Sequence, residues 1–272
     1  MTAPAAWRDL RRYTPARVAL GRVGNGLPTA AHLAFQAAHA AARDAVHAAL
    51  DIPAMQAALA DVGLAGRTVH SACPDRHTYL LRPDLGRRLA APDAERLRAE
   101  PAPGRLAFVV CDGLSATAVQ RHAVPLLAEL VAAVGPDPPI VIAAQGRVAL
   151  GDAIGEALGA EAVAVLIGER PGLSAPDSLG VYLTWQPRIG RTDAERNCVS
   201  NIRPAGFDVP QAARKLLWLI AEMHRLRLTG VALKDEQPRA DTLPRSAKDM
   251  PCAAPLLPPA PASASSPRRS RS

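Results

Sequence analysis

Aromatic side chains make up only 3% of this 272-residue chain, three each of Trp, Tyr and Phe. Single-stranded nucleic acids are held largely by stacking bases on aromatic platforms, and few such platforms exist here. Cysteine is equally sparse. Cys73, Cys111, Cys198 and Cys252 stand alone, with no CxxC pair and no histidine at zinc-ligand spacing, so neither a disulfide framework nor a zinc site is indicated. No apolar run reaches the roughly 18 residues of a membrane span, and the opening MTAPAAWRDLRRYTPAR has no apolar signal core. A soluble cytoplasmic protein with reduced thiols is expected. Also missing are the GxGxxG dinucleotide fingerprint, a Walker A loop and the GxSxG nucleophile elbow.

The net charge of +7 and a pI near 9.8 invite a nucleic-acid reading, but the charge is unevenly placed. Residues 237–272 hold six basic against two acidic side chains, +4 of the total, leaving +3 for residues 1–236. Nucleic acid is therefore not expected as a partner. The same 237–272 stretch has eight prolines and no aromatic residue, too little apolar surface to offset its ordering entropy, and is expected to be disordered.

What remains reads as an α/β protein. Residues 31–50, AHLAFQAAHAAARDAVHAAL, predict a helix with Phe35, Ala38, Ala42, Val46 and Ala49 at helical spacing and Thr29 as its cap. His32, His39 and His47 ride on it at spacings of seven and eight rather than the four of a helical metal pair, which favours a solvated face over a metal site. A second short helix over 53–64 completes an N-terminal helical region, residues 1–67. From about Thr68 apolar strands alternate with helices: RLAFVVCDG (105–113), PIVIAAQG (139–146) and EAVAVLIG (161–168), separated by helices over 114–135 and 151–160. Runs buried on both faces and joined by helices predict a Rossmann-like parallel sheet wrapped by helices, over residues 68–236. GVYLTWQPRIG (180–190) reads as a further strand, RTDAERNCVSNIRPAG (191–206) as a loop, and a last helix starts near Asp208 with Pro210 in its first turn.

In such sheets ligands lie beyond the carboxyl ends of the strands. That places Asp112–Ser115, Gly146–Val148 and Glu169–Gly172 along one edge. In CDGLSATAV the strand-to-helix turn offers either amides for an anion or a plain helix cap by Ser115. Glu169 and Arg170, side by side after an apolar strand, are either a rim ion pair or a ligand contact. DRHTYLLRPDLGRRL (75–89) concentrates Asp75, Arg76, Arg82, Asp84, Arg87 and Arg88; arginine forks clamp carboxylates or phosphates, yet Pro83 and Asp84 also suit a helix start. Cys198 sits among Asn197, Ser200 and Asn201, company that raises ligand contact above the buried filler a lone cysteine usually is. No nucleophile and base can be assembled on this edge, so no catalytic residue is assigned. A stand-alone nucleotide-binding α/β enzyme is the alternative the pattern leaves open.

In this order RPDLGRRL, DGLSATAV, GRVALGDAIGEALGA, IGERPGLSAPDSLG and ERNCVSNI resemble the small (light) subunit family of ethanolamine ammonia-lyase, over about Arg8 to Lys234. The resemblance implies an adenosylcobalamin-dependent enzyme that converts ethanolamine to acetaldehyde and ammonia by radical chemistry. It implies a large-subunit partner, a TIM barrel carrying the substrate site, with six copies of each subunit, and residence in the cytoplasm or a bacterial microcompartment. It also implies cobalamin contacts at Val148, Glu169 and Cys198, making 68–236 the cobalamin-contacting domain. Cys111 stands where the family more often has alanine or serine, and the chain after about Gln237 extends past the usual family end. Truncation after Glu236 is expected to leave assembly and ethanolamine turnover intact; a strongly impaired truncated enzyme would contradict this.

Overall fold

The computed structural model describes residue 7 and residues 9–102, 104, 106–135 and 137–237, so the stretch read as a disordered tail lies, Gln237 apart, outside the described residues. One compact unit ends at Asp235.

Strand β2 (Ala107–Cys111), AFVVC, is buried at all five positions, as a run with no polar residue must be. Successive side chains point to opposite faces, and each face is covered by helices. Phe108 and Val110 meet α2 (Ile52–Asp61), α5 (Ala116–Val134) and α7 (Val209–Leu226) through Leu59, Leu126, Leu130, Leu216 and Ile220. Ala107, Val109 and Cys111 meet α4 (Ala91–Ala99) and α6 (Leu150–Leu158) through Leu97, Leu150, Ile154 and Leu158. The remaining strands are β1 (Arg67–His70), β3 (Ile140–Ala144), β4 (Ala162–Gly168), β5 (Leu179–Trp185) and β6 (Arg196–Ile202), ordered β1-β3-β2-β4-β5-β6 in one sheet. Among the described residues no helix is long and apolar enough to cross a membrane.

The parallel sheet expected from the sequence holds for four strands only. β1, β3, β2 and β4 run parallel; β5 pairs antiparallel with β4 and with β6, so β5 alone is reversed and the sheet is mixed. The reason is chain length: a parallel return needs a crossover of a dozen or more residues, and 169–178 supplies ten with no helix among them. The loop expected over 191–206 is likewise corrected. It contains a 3-10 turn (Asp193–Glu195) closed by a capping box between Thr192 and Glu195, and then strand β6. RNCVSNI does not look like a strand because its inward positions are Arg196, Val199 and Ile202, which do not alternate. A bulge puts one extra β6 residue between the pairs Val181/Val199 and Leu179/Ile202, with Asn201 at φ 58°.

The N-terminal helices are α1 (Thr29–His47) and α2, with α3 (Arg76–Leu81) following β1. Pro28, not Thr29, occupies the α1 cap, and of the predicted apolar face only Ala42 is buried, together with Ala45; Phe35 is 40% exposed. α2 is capped by Asp51, which accepts from the Ala54 N–H at 2.9 Å, and its Met55 and Leu59 enter the same core as the sheet. The predicted helix start at Pro83 and Asp84 is a single 3-10 turn, Leu85–Arg87.

A buried Arg196 is affordable only because every donor direction is met. Its Nη1 donates to Asp152 Oδ1 at 2.6 Å and to Thr184 Oγ1 at 2.9 Å; Nη2 donates to Asp152 Oδ2 at 2.7 Å and to the Arg191 carbonyl at 3.0 Å. Both side chains are 1% exposed. This fork joins α6 to β5 and β6, the part of the sheet that no crossover helix secures. Removing one member of such a pair strands the other charge in the core at a cost of about 3–5 kcal/mol. Asp152→Ala is therefore expected to lower stability by that amount in urea unfolding of the purified chain, whereas Asp193→Ala, whose exposed carboxylate lies 3.5 Å from Arg196 Nε, is expected to leave the midpoint almost unchanged.

Candidate functional site

β2 feeds α5 on one face of the sheet and β3 feeds α6 on the other, so the ends of these neighbouring strands form the topological switch point. Protein groups fill that crevice. Asp112, 2% exposed, accepts from the Gly146 N–H at 3.1 Å through Oδ1 and pairs with Arg76 Nη1 at 3.1 Å through Oδ2. Arg76 also donates to the Gly113 carbonyl at 2.9 Å and, from Nε, to the Val46 carbonyl at 2.8 Å, tying α3 and the end of α1 to the β2 turn. Burial raises the Asp112 carboxyl above its ordinary value, with the Arg76 charge pulling the other way. The thiol of neighbouring Cys111 is pushed up by burial and by the Asp112 charge. Both groups are structural.

The turn 112–115 resolves the choice between anion site and helix cap. Ser115 caps α5, accepting from the Ala118 N–H at 3.2 Å and donating to the Pro176 carbonyl at 2.8 Å. The Leu114 N–H donates to the Gly168 carbonyl at 2.9 Å and the Ser115 N–H to the Asp112 carbonyl at 3.2 Å. Gly168 reaches this close because it has no side chain: a Cβ there would lie 2.1 Å from the Ser115 carbonyl oxygen. The Leu114, Ser115 and Ala118 amides are thus taken by the turn and the cap.

Beside the filled crevice, toward β4, a cleft of about 300 Å³ opens at the carboxyl ends of the strands. Leu114, Arg147, Val148, Glu169, Arg170 and Tyr182 are among its walls. All three loops placed on this edge by the sequence meet in it. A larger cleft of about 900 Å³, lined by Val134, Leu217, Ile220 and His224 among others, lies at the opposite end of the parallel strands and contains none of the sequence-assigned residues.

Within the smaller cleft the ion-pair option for Glu169 and Arg170 does not occur. Glu169 Oε2 accepts from the Ser178 hydroxyl and from the Asn201 N–H at 3.2 Å. The bulge in β6 aims that N–H at the carboxylate, and Gly180 on β5 leaves it room, since a Cβ there would stand 2.8 Å from Oε1. Oε1 has no hydrogen-bond partner among the described residues. Arg170 is exposed, likewise without one, and the loop behind it is held from elsewhere, by Ser115 on Pro176 and by Arg121 on Asp177 at 2.8 Å. Val148 is half-buried at the approach to α6, packed on the Leu150 and Ile154 cluster.

Cys198 does not line the cleft itself. It lies on β6 directly across from Tyr182 of β5, which does. Although the residue is exposed overall, partial withdrawal of the sulfur from water pushes the thiol up to about 11; the Tyr182 hydroxyl opposes the shift and the Glu169 charge reinforces it. Burial raises the Tyr182 phenol as well. Both groups are neutral at pH 7. Tyr182 and the fully buried Tyr79 were not singled out from the sequence. Tyr79 lies between two guanidinium groups, Arg76 at 4.7 Å and Arg147 at 4.2 Å from its ring centre, and its hydroxyl donates to the Gly146 carbonyl at 3.1 Å. Aromatics in helical or strand positions carry no signal that separates core from cleft wall. Among the described residues there is no group of three or more metal-ligating side chains.

Residues 4–234 match the family described as Ethanolamine ammonia-lyase light chain (EutC). The small subunit of ethanolamine ammonia-lyase from Azotobacter vinelandii is 59% identical over 238 residues, covering 85% of this chain and 88% of that one. Those from Xanthomonas campestris pv. campestris and Pseudomonas syringae pv. tomato are 55% identical over 242 residues and 54% over 243, each covering 86% of this chain and 89% and 85% of theirs. A match that spans the whole mixed sheet and both residue sets of the cleft places this chain in the ethanolamine ammonia-lyase light-chain family.

Proposed function

We propose that this chain is the cofactor-closing subunit of an adenosylcobalamin-dependent ethanolamine ammonia-lyase, and that Val148, Glu169 and Cys198 are its cobalamin contacts. The observation that carries the reading is the half-used carboxylate of Glu169. Ser178 and the Asn201 N–H hold one oxygen, and the other is left to accept a hydrogen bond at the cleft. A corrin ring bears peripheral primary amides, and an amide N–H is the donor this oxygen suits. Val148 offers apolar surface at the same cleft, and Cys198 a small neutral thiol across the strand pair from Tyr182. These residues bind, orient and shield; none is placed to move a proton. When bound, the cofactor supplies the radical chemistry by which ethanolamine yields acetaldehyde and ammonia.

The rest of the reading follows from the family. A large subunit holds the substrate, six copies of each subunit assemble, and the enzyme works in the cytoplasm or within a bacterial microcompartment. The alternative, a stand-alone nucleotide-binding enzyme, loses support because the Leu114, Ser115 and Ala118 amides at the start of α5 are spent on Gly168, Asp112 and Ser115. Co-expression with a large subunit and assay of ethanolamine turnover with added adenosylcobalamin tests the whole; turnover by the purified chain alone would favour the alternative.

Two outcomes test the contacts. Glu169→Ala is expected to raise the cobalamin Kd of the assembled enzyme roughly tenfold or more, the loss of one charge-assisted hydrogen bond, with subunit assembly unchanged; an unaltered Kd removes Glu169 from the site. In a Cys252→Ser chain, Cys198 is expected to react with iodoacetamide at pH 8 roughly a hundredfold more slowly than a cysteine of ordinary pKa, because a thiol at about 11 is almost wholly protonated there. Labelling at the ordinary rate would show that the thiol is not withdrawn from water.

A further inference from the structure

The arginine-rich stretch 75–89 and the loop after β3 converge on the cleft through side chains that the contacts above do not use. Arg87, Arg147 and Arg170 all line it, and among the described residues none of the three has a carboxylate partner. Their neighbours are treated differently. Asp84 pairs with Arg82 at 2.8 Å and with Arg88 at 2.9 Å, and Asp112 takes Arg76, so the local carboxylates are spent and Arg87 is left exposed at the cleft.

Arg147 is fixed in place. Its guanidinium stacks on the Tyr79 ring, Nη2 donates to the Tyr79 carbonyl at 3.2 Å, and its backbone N–H donates to the Gly86 carbonyl at 2.7 Å, which holds it against the turn that carries Arg87. Its Nε is buried without a hydrogen-bond partner. The carboxylates in the cleft wall, Glu169 and Asp193, follow β4 and precede β6, away from this turn. The Arg87 and Arg147 end of the lining thus holds cations with no carboxylate beside them, whereas at the other end Arg170 adjoins Glu169 and Asp193. A guanidinium held in one orientation at the cleft wall, with a second, exposed arginine beside it and no carboxylate on either, is pre-organised for an oxyanion.

We infer that Arg87 and Arg147 form an anion subsite that takes the phosphodiester of the cofactor's nucleotide loop, while the Glu169 end accepts from corrin amides. The inference rests on the cobalamin reading above and adds to it a second, charge-selective contact. Adenosylcobalamin carries one phosphodiester and several primary amides, and the two ends of the cleft answer those two chemistries.

The test measures binding to the assembled complex of both subunits with two probes: cyanocobalamin, and dicyanocobinamide, which keeps the corrin and its amides but lacks the phosphodiester, ribose and base. The double variant R87Q/R147Q is expected to weaken cyanocobalamin binding about tenfold or more while changing dicyanocobinamide by less than about twofold. R87Q alone alters an exposed side chain with no hydrogen bond or ion pair among the described residues; it is expected to give a smaller loss with the same selectivity, and keeps the test valid if the Arg147 change disturbs folding. Equal losses for both probes, or none for cyanocobalamin, overturn the subsite. If E169A weakens both probes while R87Q/R147Q weakens neither, the cofactor reading stands and the arginine subsite falls. A wild-type complex that binds neither probe removes both. Saturable ATP binding that R87Q/R147Q abolishes would assign the arginines to a free nucleotide and overturn the assignment to the cofactor.

Discussion

The fork between Arg196 and Asp152 is the interaction on which the geometry of this subunit turns. Four strands of the sheet are joined by crossover helices, but β5 and β6 return through connections that hold no α-helix, and only one of their faces is packed into the α5 and α7 core. Arg196, wholly withdrawn from water, binds Asp152 on α6, Thr184 on β5 and the Arg191 carbonyl. One side chain thereby sets the distance between the helix that follows Val148 and the strand that carries Cys198. A hydrophobic substitute would fill the space, yet it would not specify direction as a bidentate charge pair does.

Most of the polar chemistry at the strand ends is used for architecture. Asp112, Arg76 and the Gly146 amide close the switch-point crevice, Ser115 and Gly168 close the helix N-terminus, and Asp84 gathers two arginines on the surface. Among the described residues, one oxygen of Glu169 and the arginines without a carboxylate partner, Arg87, Arg147 and Arg170, are left over at the cleft. The segment 75–89 holds both paired and left-over arginines, because Asp84 can satisfy Arg82 and Arg88 but not Arg87 as well.

Three of the four parallel strands, the helices between them and the shared edge of three loops were legible in the sequence, since runs such as AFVVC and AVAVLIG can be buried on both faces and little else. β6 was not legible. Its buried positions carry an arginine and are broken by a bulge, so neither alternation nor an apolar run marks it, and Cys198 was read as a loop residue. Tyr79 and Tyr182 escaped for a different reason: their place in the cleft wall depends on strand order and on cation stacking between segments far apart in the chain.

By itself the sequence determined the α/β class, the parallel strands with their helices, the edge on which Val148 and Glu169 lie, and the family likeness carried by its motifs. These are local properties, settled by burial pattern and by which residue types adjoin. Only the tertiary structure decided that β5 alone is reversed in the sheet, that Glu169 leans on Ser178 and Asn201 instead of Arg170, and that Arg87 and Arg147 face the same cleft unpaired. Each of those depends on which groups from distant segments satisfy one another, and a hydrogen bond or an ion pair is spent only once.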